Sequence, residues 1–310
     1  MKRILLSLSL LLLLALAAGC SAQGEAQLDP TMAQQLQIDE TMAQQLQIDE
    51  TMAATLAPGI QDVDVTDRGT DLTLHVRQTL GNDRELYVLY DVTLAGTVIL
   101  PDGEEGWFGP QTVTLQGVEE STAHSGRVQT AFLDKERQTI TYLSYFSRDT
   151  AWPAGDLRLS VGDFVSDETS LTQEVAQVTW TPENQGTVLE GTVQNPAGEA
   201  VGSVTLTPFS LSYAFTEGAH LELEEINGMA LPNAYLLDRQ GMARRAGSAS
   251  GGGKNWSTTF RTPLDLTTVS AVEVAGYVVP LGQGTAVPDN WDPEATEQAA
   301  WDRVFFSLRL

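Results

Sequence analysis

Cysteine occurs once in the 310 residues, at Cys20, and histidine three times, at His75, His124 and His220. A lone cysteine excludes an internal disulfide and a thiolate zinc cluster, and it leaves no second thiol for a redox pair. The histidines are widely separated and none stands in a metal-ligand spacing such as H-x-x-x-H, so each reads as a structural or surface residue. Basic residues are also scarce. There are 17 Lys and Arg against 41 Asp and Glu, a formal charge of −24. A surface of that sign repels phosphate backbones, which argues against nucleic acid as a partner. No G-x-S-x-G elbow, S-x-x-K, P-loop or dinucleotide fingerprint is present. Gly251-Gly252-Gly253-Lys254 lacks the spacing and the following Ser or Thr of a phosphate loop. No catalytic residue and no cofactor is expected, and the chain does not read as an enzyme.

Long apolar runs are limited to one. Lys2-Arg3 precede a run from Ile4 to Ala18 broken only by Ser7 and Ser9, and Gly19-Cys20 follow. A membrane span needs ~20 apolar residues, and this run is shorter, so the segment reads as a cleavable secretory signal. Leu16-Ala17-Ala18-Gly19-Cys20 resembles the bacterial lipobox, with its leucine one position further out than usual. That resemblance implies cleavage before Cys20 and acylation of Cys20, as by palmitate. The product would be anchored by lipid on the extracytoplasmic face of the cell membrane. Removing the two basic residues of the leader takes the formal charge to −26.

Residues 21–57 differ in composition from everything that follows. The decapeptide Thr31-Met32-Ala33-Gln34-Gln35-Leu36-Gln37-Ile38-Asp39-Glu40 recurs unchanged as residues 41–50, and a third, decaying copy begins at Thr51-Met52-Ala53. Thr31-x-x-Gln34 and Thr41-x-x-Gln44 resemble capping boxes. In one continuous helix, ten residues fall ~80° short of three turns, so Met32, Met42 and Met52 walk around the axis and no apolar seam forms. The expected structure is a partly helical tether, reaching roughly 55 Å as helix or about 35 Å as flexible coil.

From Ile60 the hydrophobic period changes to two. Residues 62–65, 72–76, 86–92, 112–115, 128–132, 140–146 and 157–161 alternate or run apolar over strand length. Turn signals such as Pro101-Asp102-Gly103 and Pro153-Ala154-Gly155-Asp156 separate them. After a polar, turn-like stretch from Phe164 to Glu174, further strands are expected at 175–180, 187–194, 201–215, 219–225, 234–238, 257–261, 269–279 and 303–310. Arg244–Lys254 reads as a flexible loop, and Asp292-Pro293-Glu294 as the capped start of a short helix over 293–302. Many short strands with few helices predict a mainly β fold of two tandem β-sandwich domains. The expected organisation is a signal peptide (1–20), the repeat tether (21–57), a first sandwich (58–165) and a second (166–310).

Gly69-Thr70-Asp71-Leu72-Thr73-Leu74 and the run Asn82–Val92 resemble the immunoglobulin-like extracytoplasmic domain of unknown function in Gram-positive anti-sigma-factor-like proteins. Residues 204–210 and 263–269 are similar to segments of a second immunoglobulin-like domain that often follows it. The resemblance implies an outward-facing module and supplies no catalytic residues. Such proteins usually begin with a cytoplasmic sigma-binding segment and a transmembrane helix, where this chain has a lipoprotein-type leader.

The acidic residues Asp62 and Asp64, and likewise Glu222 and Glu224, alternate with apolar Val63 and Leu223, the pattern of a half-buried strand. Asp289, Asp292 and Glu294, with Asn290, bring calcium-type ligands close together without EF-hand order. Trp107, Trp152, Trp256, Trp291 and Trp301 read mainly as core or rim residues. The function expected from all this is a non-enzymatic, lipid-anchored binding or sensing module for an extracellular protein or envelope polymer, linked to envelope signalling. A structural envelope spacer and a carbohydrate-binding or carbohydrate-active protein are the alternatives.

Overall fold

The computed structural model describes residues 37–96, 108–166, 169–226, 229–238, 243–247 and 250–281. The expected leader with Cys20, the helix over 293–302, the strand over 303–310 and the calcium candidates Asp289, Asp292 and Glu294 all lie outside these residues. What is described is mainly β, in antiparallel sheets stacked as two pairs.

The first pair comprises β1 (Ile60–Arg68), β2 (Leu72–Gly81), β3 (Glu85–Leu94), β4 (Phe108–Gly117), β5 (His124–Ser125), β6 (Arg127–Asp134), β7 (Thr139–Ser147), β8 (Leu157–Ser166) and β9 (Thr169–Trp180). One sheet runs β1-β2-β3-β7-β6 and the other β5-β4-β8-β9. The alternation read from the sequence decides which side chains meet between them. Leu72, Leu74 and Val76 of β2 and Val88, Tyr90 and Val92 of β3 face Leu115, Leu157, Leu159, Val161 and Val178 in one buried cluster. Burying each such side chain contributes ~1.5–3 kcal/mol relative to exposure. The seven strands expected in this region fall within β1, β2, β3, β4, β6, β7 and β8. The stretch 164–174, expected as a turn, instead ends β8 and starts β9, which pair from Leu157↔Trp180 to Ser166↔Thr169. The boundary drawn at 166 is therefore too early, because the alternation of 175–180 cannot reveal which strand it pairs with.

The second pair follows a linker over 181–188. It comprises β10 (Leu189–Gln194), β11 (Ala200–Leu206), β12 (Ser210–Phe215), β13 (Leu223–Ile226), β14 (Met229–Pro232), β15 (Ala234–Asp238), β16 (Ala243–Arg245), β17 (Ser250–Gly252), β18 (Asn255–Thr259), β19 (Val269–Val274) and β20 (Tyr277–Pro280). A sheet β10-β11-β12-β18-β17 packs on a sheet β16-β15-β19-β20, with β13 and β14 as a separate hairpin. Val204, Leu206, Leu211 and Tyr213 of the first meet Leu236, Val272, Val274 and Val279 of the second. The run 201–215, expected as one strand, folds back as a hairpin. Thr207 Oγ1 accepts from the Phe209 and Ser210 amides (3.1 and 2.9 Å) and turns the chain there. Arg244–Lys254 is likewise not a simple loop, since β16 pairs β15 and β17 pairs β18.

The tether expectation is corrected over residues 37–57. Here lie two short helices, α1 (Glu40–Gln45) and α2 (Glu50–Leu56), capped by Asp39 and Asp49 rather than by threonine. Asp39 accepts from the Thr41 amide and Asp49 from the Met52 amide, both at 2.8 Å. Before each cap a glutamine takes a left-handed conformation, Gln37 at φ 57° and Gln47 at φ 53°. The structural unit is thus Gln-Ile-Asp-Glu-Thr-Met-Ala-x-x-Leu, at 37–46 and 47–56. Gln27-Leu28-Asp29-Pro30-Thr31-Met32-Ala33-Gln34-Gln35-Leu36 carries the same pattern. Ile38, Met42, Leu46, Ile48 and Leu56 are buried against Leu80, Leu89 and Leu143 on the outer face of the first sheet. The seam exists because the helix restarts every ten residues.

Candidate functional site

The first sheet pair meets the second at a junction built from three kinds of contact. Phe209, at the tip of the β11–β12 turn, enters the apolar cluster that covers the outer face of β3 and β7, with its ring 5.1 Å from that of Tyr87, edge to face. Beside it, the buried carboxylate of Glu85 accepts from the Tyr145 hydroxyl at 2.8 Å and from the hydroxyls of Ser210 and Thr207. The linker is pinned as well. Gln185 and Gly186 donate their amides to Pro58 O (2.8 Å) and Gly81 O (3.0 Å). A Cβ on Gly186 would lie 2.3 Å from Gly81 O, so this approach requires glycine. Burial together with Glu85 raises both neighbouring phenols, that of Tyr87 to about 12 and that of Tyr145 further.

Between the two pairs these contacts leave a cleft of about 420 Å³. One wall is the outer face of β11, β12, β17 and β18. Pairing aligns Ser250↔Ser257, Ser257↔Ser212, Ser212↔Thr205 and Thr205↔Glu190 into one row that crosses all five strands. The neighbouring row holds Asn255, Ala214 and Ser203. An exposed sheet face ordinarily carries long charged side chains, whereas nothing larger than asparagine rises from these rows until Glu190 at the edge. The opposite wall carries Arg84 and Arg148, adjacent where the Arg148 amide donates to Arg84 O (2.9 Å). Arg84 pairs with Glu190 (2.8 Å) and donates to Thr205 Oγ1 (3.3 Å), while its buried Nε has no hydrogen-bond partner. Arg148 pairs with Glu120 (2.9 Å) and stacks 5.0 Å above the Trp152 ring. The Gly117 amide, then Arg148, hold the Glu120 carboxyl below its ordinary value.

Of the residues singled out from sequence, Trp256 borders the cleft, and the other described ones lie elsewhere. His75 Nε2 donates to Asp64 Oδ1 (2.9 Å) on the outer face of β1 and β2, with Asp91 3.8 Å from its other nitrogen. Asp64 takes φ 49° at a bulge between Asp62 and Val65. Asp62 and Asp64 do share the exposed face of β1, opposite Val63 and Val65, which pack on the core. In β13 the expectation fails, as Leu223 is 49% exposed. His124 lies edge-on to Trp152, and His220 is exposed. Trp152 is buried and Trp256 packs on the second core, while Trp107, Trp291 and Trp301 lie outside the described residues. Among the described residues, no group of three or more His, Cys, Asp or Glu could hold a metal ion. Glu273, buried on β19, is pushed up to about 7 by burial and Glu222, against the lowering effect of the Gly276 amide. The cleft itself was not anticipated. Its signal was Ser203/Thr205, Ser210/Ser212 and Asn255/Ser257, small polar residues at alternate positions of consecutive strands.

No family model and no curated protein matches the chain. Among solved structures, the conserved domain protein from Bacillus anthracis aligns over 69% of this chain and 76% of its own, at 13% identity and a TM-score of 0.38.

Proposed function

We propose that the protein is a lipid-anchored, extracytoplasmic binding module and that the cleft between its two sheet pairs is the ligand site. The observation that carries this reading is the hydroxyl row from Ser250 to Thr205, touched by Arg84 only at its Thr205 end and facing Arg148 across a junction fixed by Glu85, Phe209 and the linker. A preformed polar cleft loses little freedom on binding, which is where much of the cost of association lies. Its groups donate and accept hydrogen bonds and are suited to holding a ligand in place. The leader and Cys20 supply the anchor in this reading, and the immunoglobulin-like resemblance an outward-facing role in sensing. The docking of residues 38–56 on the first sheet weighs against those residues serving as an extended spacer.

The test has two arms. Metabolic labelling with a fatty-acid analogue should mark the wild-type chain and not Cys20→Ser, which should be released or remain as precursor. Immobilised protein should retain cell-envelope material that Ser212→Arg, whose long side chain fills the cleft, fails to retain. Equal retention by both proteins would rule out the cleft as the site.

A further inference from the structure

Taking the cleft as the binding site, we infer that its ligand is a neutral, hydroxyl-rich chain, an uncharged oligosaccharide or polysaccharide segment. Charge decides first. The guanidiniums of Arg84 and Arg148 are faced by Glu190 and Glu120, to which they are already paired, and by Glu85 and Asp149 beside them. Two positive groups among four carboxylates, in a chain of net charge −24, give an anion no favourable field. A cation fares no better. Glu190 and Glu120, at the margin of the cleft, are committed to arginine, and of the two carboxylates that line it Glu85 is committed to three hydroxyls, which leaves Asp149.

Hydrogen-bonding capacity decides next. Ser203, Ser212 and Ser257 each offer one donor and two acceptor positions that rotate to suit their partner; Thr205 keeps its donor beside the Arg84 contact, Ser250 keeps its acceptor positions while its hydroxyl donates to Ser257 O (3.3 Å), and the Asn255 amide offers both kinds. A sugar hydroxyl has the same dual character, so each contact can be satisfied in either sense. Sites for apolar ligands are lined mainly by hydrophobic and aromatic groups, and this wall is not. An extended peptide would seek the unpaired backbone of a sheet edge. Here the groups on offer are mostly side chains on a sheet face, and the edge strand that borders it, β17, is only three residues long.

Length and shape agree. The row from Ser250 to Thr205 crosses three inter-strand steps of ~4.8 Å, a track of roughly 14 Å that ends where Arg84 reaches Thr205 and Glu190 and that two or three linked sugar rings can follow. Of the two aromatic residues that border the cleft, Tyr213 is buried and Trp256 packs on the second core, so among the described residues none stands out as a stacking platform. Binding therefore rests on hydrogen bonds exchanged with water, and single-site affinity should be weak, tightening when a polymer engages many anchored copies.

The experiment is calorimetric titration of the full chain carrying Cys20→Ser with neutral gluco-, xylo- and chito-oligosaccharides, and with an oligogalacturonate as the anionic comparison. At least one neutral series should bind at micromolar to millimolar concentration, with affinity rising with chain length and little changed by salt. Ser212→Arg and Ser257→Arg should each weaken binding at least ~10-fold, the effect of losing about 1.4 kcal/mol, while Ser212→Thr retains it; circular dichroism checks that each variant is folded. Absence of neutral binding at millimolar concentration, tighter salt-sensitive binding of the oligogalacturonate, or binding untouched in both arginine variants would each overturn the assignment. If neutral oligosaccharides fail while Ser212→Arg still abolishes retention of envelope material, the saccharide is wrong and the cleft is right. If retention also survives Ser212→Arg, the cleft itself is wrong.

Discussion

Glu85 and Ser210 meet across the junction of the two sheet pairs, the serine hydroxyl donating to a carboxylate that also receives Thr207 and Tyr145. All of Glu85 but 5% is buried, and those three donors satisfy its carboxyl oxygens away from water. Glu85→Ala would strand three hydroxyls and should cost on the order of 3 kcal/mol in urea unfolding. Glu85→Gln keeps an acceptor and should cost less. If the junction holds the cleft open, Glu85→Ala should also increase the spread of interdomain distances between spin labels on β6 and β20. An unchanged distribution would show that Phe209 and the linker suffice.

The repeat makes a sharper prediction, because its copies share one sequence pattern. Asp39 caps α1 and pairs with Arg77, and Met42 is fully buried against the sheet. Met42→Ala should cost ~2–4 kcal/mol. Deleting residues 37–46 entirely should cost no more than about 1 kcal/mol, the loss of one modest capping contact. The deletion brings Leu28 to the place of Ile38, Asp29 to that of Asp39, and Pro30 to the first helical position, where proline is well tolerated. Thermal unfolding of the two variants checks the order. A deletion more damaging than the point substitution would mean that the upstream copy does not dock.

Why this packing was not legible in the sequence has a definite cause. The helical-wheel argument holds for one continuous helix, yet Gln47 in its left-handed conformation and the Asp49 cap reset the helix, so Met42 and Ile48 reach the same sheet. Alternation, by contrast, identified β1 to β4 and β6 to β8, because a half-buried strand must place every second side chain in the core. It could not place β9, whose partner is decided by pairing. Nor could it distinguish Ser203, Thr205 and Ser212 from ordinary solvated positions. Only the register, which sets them in one row opposite Arg84, makes them a site.

The turn at Gly69 is gripped from another strand. The Glu174 carboxylate of β9 accepts from the amides of Thr70 (2.8 Å), Asp71 (2.5 Å) and Leu72 (3.1 Å). These backbone donors, those of Asp71 and Thr70 foremost, hold the Glu174 carboxyl below its ordinary value. A depressed carboxyl contributes stability above its unfolded value of 4.5, and that contribution disappears as pH falls through the folded value. A Cβ on Gly69 would sit 2.0 Å from Glu174 Oε1 and displace it. Gly69→Ala and Glu174→Ala should therefore each cost about 1 kcal/mol at neutral pH, a figure kept low because the carboxylate is solvent-accessible. The double variant should cost little more than either single one. Additive losses would show that the two residues act independently.

Glu273 supplies the opposite pH dependence. Burial first, and then Glu222, push its carboxyl from 4.5 to about 7, while the amide of Gly276, at φ 87° in the turn after β19, pulls the other way. The folded state holds this proton more tightly than the unfolded chain, so its effect runs against stability as pH rises. Below pH 4.5 both states are protonated and the group is neutral in effect; between 4.5 and about 7 the unfolded chain ionises first and stability falls; above about 7 the full penalty, of the order of 3 kcal/mol, is present. Glu273→Gln keeps an acceptor for the Gly276 amide and removes the charge. It should raise the unfolding midpoint at pH 8, leave it nearly unchanged at pH 4, and flatten the slope between them. A substitution that destabilises at pH 8 would mean that the Glu273 carboxylate has a stabilising partner there.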